Sequence, residues 1–312
     1  MTDKLDKKQA SIIPIDLHFM DRSNAIAAYL IPHAHGAVLV ECGPGSTTPA
    51  LQTGLAAHGF QPADITDVLL THIHLDHAGA AGWLARQGAR IYVHSVGAPH
   101  LLDPEKLISS ARRIYGDMMD VLWGEFLPVP ERQLSIVQDG DVIEVEGLQF
   151  CAMETLGHAN HHFTYLHAGT CFSGDIGGVR MPGVRFLRLP VPPPEFQLEL
   201  WRESLVRLQE EYQSGAFQRI APTHFSIFDD AGWHLSELGR TLDELDEWIT
   251  GIMPAGLTTD QLNAVFLNWS EKRAFNRGLD VETLQTYEVA NPSWMAAAGI
   301  QRYWSKYRAN AD

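Results

Sequence analysis

His72, His74, Asp76 and His77 fall together in THIHLDHAG, residues 71–79. Neutral imidazole nitrogens and carboxylate oxygens are the donors that hold zinc and other first-row cations. The run follows ITDVLLTH (65–72), which reads as a buried strand. On an extended segment residues i and i+2 point the same way, so His72 and His74 can share one ion. Asp76 and His77 lie past the strand end, where a turning chain can aim them at a second ion nearby. Weaker signals follow in order: His158 in LGHANHH, Asp175 closing FSGD, and His224 in APTHFS. Each sets one ligand-type residue on a loop just after a strand, where open α/β sheets build their sites. A lone histidine of this kind is as readily a structural residue; the set gains its meaning from the order.

The elements that must position these residues alternate. SIIPIDLHF, AIAAYLIP and AVLVEC read as strands, and ECGPGS as a glycine-rich turn. Thr48 to His58 reads as a helix started by Thr47 or Thr48, HAGAAGWLARQG as one helix closing at Gly88, and ARIYVH (89–94) as a strand. Residues 98–130 change character and predict two or three short helices. This helical insertion either packs on the body or forms a lid or wall of a substrate pocket, with Tyr115, Met118, Met119 and Trp123 as pocket candidates. Strands return in 133–155, with Asp139-Gly140 as a hairpin turn, and a second hairpin turns at Ala168-Gly169. PVPPP (190–194) is a linker. A helix from about Glu195 to Gly215 carries Leu198, Trp201, Leu205 and Leu208 on one face. Helices follow over 231–253, 258–277, 281–288 and 291–309. Trp269, Trp294, Tyr303, Trp304 and Tyr307 there serve either helix packing or an apolar acyl pocket or homodimer face.

Composition narrows the partners. The chain has 312 residues, with 23 Lys and Arg against 38 Asp and Glu, a formal charge of −15. Nucleic acid would ask for a basic face. A locally positive metal centre could still hold an acidic small-molecule substrate. No apolar run reaches the ~20 residues that span a bilayer. Residues 1–10 are polar, without the apolar stretch of a secretory signal, and read as a tail. Cys42, Cys151 and Cys171 are odd in number and far apart, giving neither a disulfide framework nor a cysteine zinc motif. A reducing, cytoplasmic setting is the expectation. Fifteen histidines stand out against this acidity. His33, His35, His94, His100 and His234 fit no ligand pattern and are given no role.

His-x-His-x-Asp-His, then Gly-His, then Ser-Gly-Asp, then a histidine after a strand, resembles the metallo-β-lactamase-fold hydrolase superfamily over about residues 11–228. The resemblance implies a four-layer αββα sandwich, an α/β fold, with residues 98–130 inserted and 229–312 a helical extension packed on it. It implies two divalent ions per chain, zinc ahead of iron, manganese or nickel. His72, His74 and His158 would hold the first, Asp76, His77 and His224 the second, and Asp175 would bridge them. Glu41 stands where the family usually has Asp and would orient a ligand histidine; His162 would support without coordinating. The implied chemistry is attack of a bridging hydroxide on an acyl carbon, with Asp76 as proton shuttle. Asp175 points away from true β-lactamases, which place Cys or Ser there, toward hydroxyacylglutathione hydrolases, lactonases and thioesterases. Two alternatives stand beside this. One is a persulfide dioxygenase with a single iron on His72, His158 and Asp175; the other is a non-catalytic regulatory member of the fold.

Overall fold

Alternation along the strands decides the layers. The computed structural model describes residues 11–309; the expected tail at 1–10 lies outside the described residues. Strands β1 (Ile13–Asp16), β2 (Ala27–His33), β3 (Gly36–Val40), β4 (Ile65–Leu69), β5 (Arg90–His94) and β6 (Leu134–Val137) form one six-stranded sheet in that order. Strands β7 (Val142–Val145), β8 (Leu148–Glu154), β9 (Phe163–His167), β10 (Gly169–Phe172) and β11 (Phe217–Ala221) form a five-stranded sheet ordered β11-β10-β9-β8-β7. Tyr29, Ile31, Val38, Val40 and Leu69 face Phe150, Phe163, Tyr165 and Phe172 between the two sheets. Their sequence neighbours Leu30, Leu39 and Val68 turn outward, as the two-residue period of a strand requires.

Helices cover both outer faces. The first sheet is covered by α1 (Thr48–Ala57), α2 (Leu75–Ala78), α3 (Ala81–Gln87), α4 (Ala98–Leu102), α5 (Glu105–Tyr115) and α6 (Met119–Trp123). The second is covered by α7 (Leu198–Ser214) and α8 (Ala231–Ile252), joined by α9 (Thr259–Asn276) and α11 (Ser293–Tyr303), with α10 (Val281–Ala290) between those two. Leu198, Trp201, Leu205 and Leu208 of α7 are all buried, the face the periodicity picks out. The C-terminal helices are built into the body. Tyr287 of α10 reaches the core between the sheets, where its hydroxyl donates to Phe186 O at 3.0 Å and accepts from the Met181 N–H at 3.0 Å. The buried Arg188 guanidinium donates to Glu288 at 2.6 Å and to Ser293.

Two local expectations are corrected. Asp139-Gly140 does make a tight turn, with Gly140 at φ 83°, but no hairpin: β6 ends the first sheet and β7 edges the second. The hairpin that local turn chemistry should have marked is β7–β8, turning at Glu146 and Gly147 with φ of 47° and 83°. The single helix expected over 77–88 is split into α2 and α3. At Gly79 a Cβ would lie 2.6 Å from Pro44 Cα and 2.7 Å from Gly45 N, so the backbones pack without side chains between them.

Close packing also holds the exit of the inserted helices against the body. A Cβ at Gly82 would lie 1.9 Å from Leu127 O. Gly82→Ala should therefore lose about 2–3 kcal/mol of stability by overpacking. Gly251→Ala, with open space around it in α8, should be neutral or up to ~1 kcal/mol more stable. Urea unfolding of both variants measures the contrast.

Candidate metal centre

The ends of β3, β4, β8, β10 and β11 lie at one edge of the sandwich, and each releases a loop bearing one or more of the predicted residues. The sheets are laced together there by backbone and side-chain bonds. Tyr165 Oη donates to Leu70 O at 3.0 Å, Tyr29 Oη to Pro222 O at 2.6 Å, and the Phe163 N–H to Thr71 O at 2.7 Å. His72 and His74 sit on the loop after β4; Asp76 and His77 ride the single turn of α2. His72 and His74 do converge, though from irregular chain rather than from a strand, and through different ring atoms.

Two clusters result. In the first, His72 Nε2, His74 Nδ1 and His158 Nε2 lie 2.9 to 3.2 Å apart. In the second, His77 Nε2 and His224 Nε2 lie 3.5 and 3.4 Å from Asp76 Oδ2. Asp175 joins them. Its Oδ2 is 3.3 Å from His158 Nε2, while its Oδ1 is 3.4 Å from His77 Nε2 and 3.5 Å from His224 Nε2. All the residues predicted at the site are thus brought together, and all but His74 and Asp76 are buried.

Outward hydrogen bonds assign the tautomers. His158 Nδ1–H donates to Pro190 O at 2.8 Å and His224 Nδ1–H to Ala25 O at 2.7 Å. His77 Nδ1–H donates to Glu41 Oε1 at 3.1 Å. The Thr71 hydroxyl donates to Glu41 Oε1, so its oxygen accepts from His72 Nδ1–H at 3.0 Å. With the rings neutral, these inner Nε2 atoms therefore present lone pairs. In the second cluster those lone pairs face carboxylate oxygens, and among the described residues His77 Nε2 and Asp175 Oδ1 are buried without a hydrogen bond. Donor atoms facing one another repel unless a cation lies between them, so the residues present fit bound metal.

The same geometry sets the proton affinities. Burial, then neighbouring imidazoles, push His72 and His74 well below the ordinary histidine range, keeping them neutral. Burial pulls His77 down too, but Asp76, Asp175 and Glu41 outweigh it and hold it well above that range. His224 is raised likewise, burial being outweighed by Asp175 and Asp76. A proton is thus favoured on these two rings where a cation would otherwise lie.

The donors are held from behind by Glu41 and His162, both expected in supporting roles, and by Thr71, Thr223 and His161, which sequence reasoning passes over. Glu41, buried at φ 67°, accepts from Thr71, Thr223 and His77 on one oxygen. The signal was present: both threonines precede a site histidine, in Thr71-His72 and Thr223-His224. His162 supports without facing the clusters: its Nδ1–H donates to Thr155 Oγ1 at 2.9 Å, and its Nε2 accepts the Asp175 N–H at 3.2 Å. His161 accepts from the Ile73 N–H at 3.4 Å and lies 3.4 Å from Glu195; no motif marks it. Among the aromatic candidates, Trp269 packs on Trp248 and Phe266, and Tyr303 is buried against Phe196. Met119 and Trp123 are buried in the inserted helices, Met118 is exposed, and Tyr115 meets Trp294 edge-on.

Comparison with known proteins places the chain in a family. Residues 23–212, more than half of the chain, match the family model of the metallo-beta-lactamase superfamily, and the chain belongs to that superfamily. The metallo-beta-lactamase fold-containing protein ST1585 of Sulfurisphaera tokodaii is 29% identical over 144 residues, 45% of this chain and 54% of that protein. A hydroxyacylglutathione hydrolase of Aeromonas hydrophila is 29% identical over 147 residues, covering 47% of this chain and 44% of its own. An atrochrysone carboxyl ACP thioesterase of Aspergillus fumigatus is 30% identical over 151 residues, 47% of this chain and 38% of its own. The chain thus spans about half or less of the length of these curated relatives. The crystal structure of ST1585 from Sulfolobus tokodaii superposes with a TM-score of 0.67 at 18% identity, over 94% of this chain and 98% of that one, a likeness of fold.

Two measurements test the centre. His162→Ala should weaken metal binding about 10–100-fold by freeing the Asp175 backbone, with the fold intact; titration against a chromophoric chelator reads this. Because His77 and His224 are raised, metal uptake near pH 7 should release protons, and affinity should climb as pH rises. Calorimetry in buffers of different ionisation enthalpy counts those protons.

Proposed function

We propose that this chain is a metal-dependent hydrolase that cleaves a thioester, ester or lactone of a small-molecule substrate. The observation that carries the reading is the Asp175 carboxylate split between two clusters of inward-facing lone pairs. His72, His74 and His158 would hold one divalent cation, Asp76, His77 and His224 a second, and Asp175 would touch both, zinc being the first choice for such donors. When bound, such a pair supplies an activated water and polarises an acyl oxygen. The relatives named as a hydroxyacylglutathione hydrolase and an ACP thioesterase support thioester chemistry.

The chain's own residues divide the remaining work. Glu41, Pro190 O and Ala25 O fix ring orientation from behind, so the donors are preorganised. Asp76 has the more exposed carboxylate, 19% against 5% for Asp175. Its Oδ2 faces the histidines, leaving Oδ1 to take a proton from the attacking water and pass it to the leaving group. The dense packing of the neighbouring loop on Gly79 keeps α2, and with it Asp76 and His77, in place.

Elemental analysis of the purified protein, run beside a panel of thioesters, esters, lactones and phosphodiesters, tests the proposal. The expected result is about two metal ions per chain and turnover of an acyl substrate. Asp76→Asn should lower kcat about 10²–10⁴-fold. One iron per chain with oxygen uptake on a persulfide would replace the hydrolase by a dioxygenase. Absence of metal, with His72→Ala indistinguishable from wild type, would leave a non-catalytic protein.

A further inference from the structure

Tyr115 ends α5 and stands half-buried between parts of the chain remote in sequence. Its ring lies edge-on to Trp123, with centroids 5.0 Å apart, and to Trp294 at 5.9 Å. Trp123 in turn stacks on Phe19 at 5.5 Å. The Tyr115 hydroxyl donates to Met295 Sδ at 3.8 Å, a residue 180 positions away. A thioether sulfur is a weak acceptor, whereas a buried tyrosine hydroxyl ordinarily finds a stronger one. Rings thus fix Tyr115 while its hydrogen bond stays largely unspent. Among the described residues Trp123 Nε1 is also buried with no partner, a second unspent donor on the same wall.

This wall is fastened to the edge of the metal cleft. Ser46 Oγ donates to Leu122 O at 2.6 Å, and the backbone of Trp123 and Glu125 lies against Gly45. Pro44 and Gly45 lie against Gly79, two residues beyond His77. Burial first, and the Asp76 carboxylate second, raise the Tyr115 hydroxyl above the ordinary tyrosine range, so it remains a protonated donor within the field of Asp76. Exposed Ile114, Met118, Val121 and Trp294 on the same elements give this side an apolar rim.

We propose that Tyr115 is a substrate-contacting residue whose hydroxyl donates to the sulfur of an acyl thioester, Met295 Sδ holding that sulfur's place in the free protein. The inference rests on the hydrolase reading and narrows its substrate to thioesters with an apolar arm. In the step, the water oxygen bonds to the acyl carbon, and the carbon–sulfur bond breaks with its electron pair going to sulfur. One water proton passes to that sulfur and the other to solvent; Tyr115 keeps its own, and nothing is oxidised or reduced. The hydrogen bond strengthens as charge grows on sulfur, so it favours the transition state over the bound substrate.

The test is hydrolysis of one acyl group carried on a series of thiols, from acidic aryl to basic alkyl, by metal-loaded wild type and Tyr115→Phe. The variant keeps the ring contacts; metal content and unfolding temperature should be unchanged. Its kcat should fall about 10–100-fold on alkyl thioesters and less than about threefold on aryl thioesters, whose leaving groups ask for little help. The Kd of a non-cleavable thioether analogue should rise about fivefold. A loss equal across all thiols, or none, overturns the role of Tyr115. Wild type that opens esters or lactones but no thioester overturns this inference and leaves the hydrolase reading. Wild type that hydrolyses nothing overturns both.

Discussion

The buried Glu41 carboxylate ties the site to the fold. Its Oε1 accepts from Thr71 after β4, from Thr223 after β11, and from His77 on α2. Burying a carboxylate is costly unless donors surround it, and here the donors come from both sheets. The sandwich is thereby held at one edge by the group that also aims two ring nitrogens inward: His77 directly, and His72 through Thr71. The left-handed backbone of Glu41, φ 67°, turns the chain sharply just past β3. That strain is tolerated where the surroundings fix the conformation many times over.

Around this anchor the molecule reverses its own electrostatics. The surface follows the net charge of −15, yet the cleft gathers imidazoles and two carboxylates with their lone pairs facing one another. Without a cation the carboxylates favour the charged forms of His77 and His224. A cation held there would replace those protons, so binding and deprotonation would be one event. His162, gripping the Asp175 backbone, and the glycine contacts behind α2 keep the donors from relaxing apart.

The inserted helices and the C-terminal helices pack against one another. Tyr115 lies against Trp294 and Met295, and Val289 and Ala290 pack on the core that includes Trp123. Tyr287 and Arg188 root those C-terminal helices in the body.

By itself, the sequence determined which ligand-type residues come together and which elements deliver them. Ligand-type side chains, strand periodicity and the Ala168-Gly169 turn are local properties, readable from a few neighbouring residues. Tertiary structure alone decided the rest. Asp139-Gly140 specifies a turn but not which sheet the next strand joins, so the expected hairpin became a crossing between sheets. The helix over 77–88 broke because the loop at Pro44 and Gly45 lies against Gly79, a contact between segments distant in the chain. The particular partners of Glu41, His161 and Tyr115 are supplied by other elements. Turn and helix preferences act over a few residues, whereas pairing, tautomer choice and the filling of space are settled only when the whole chain packs.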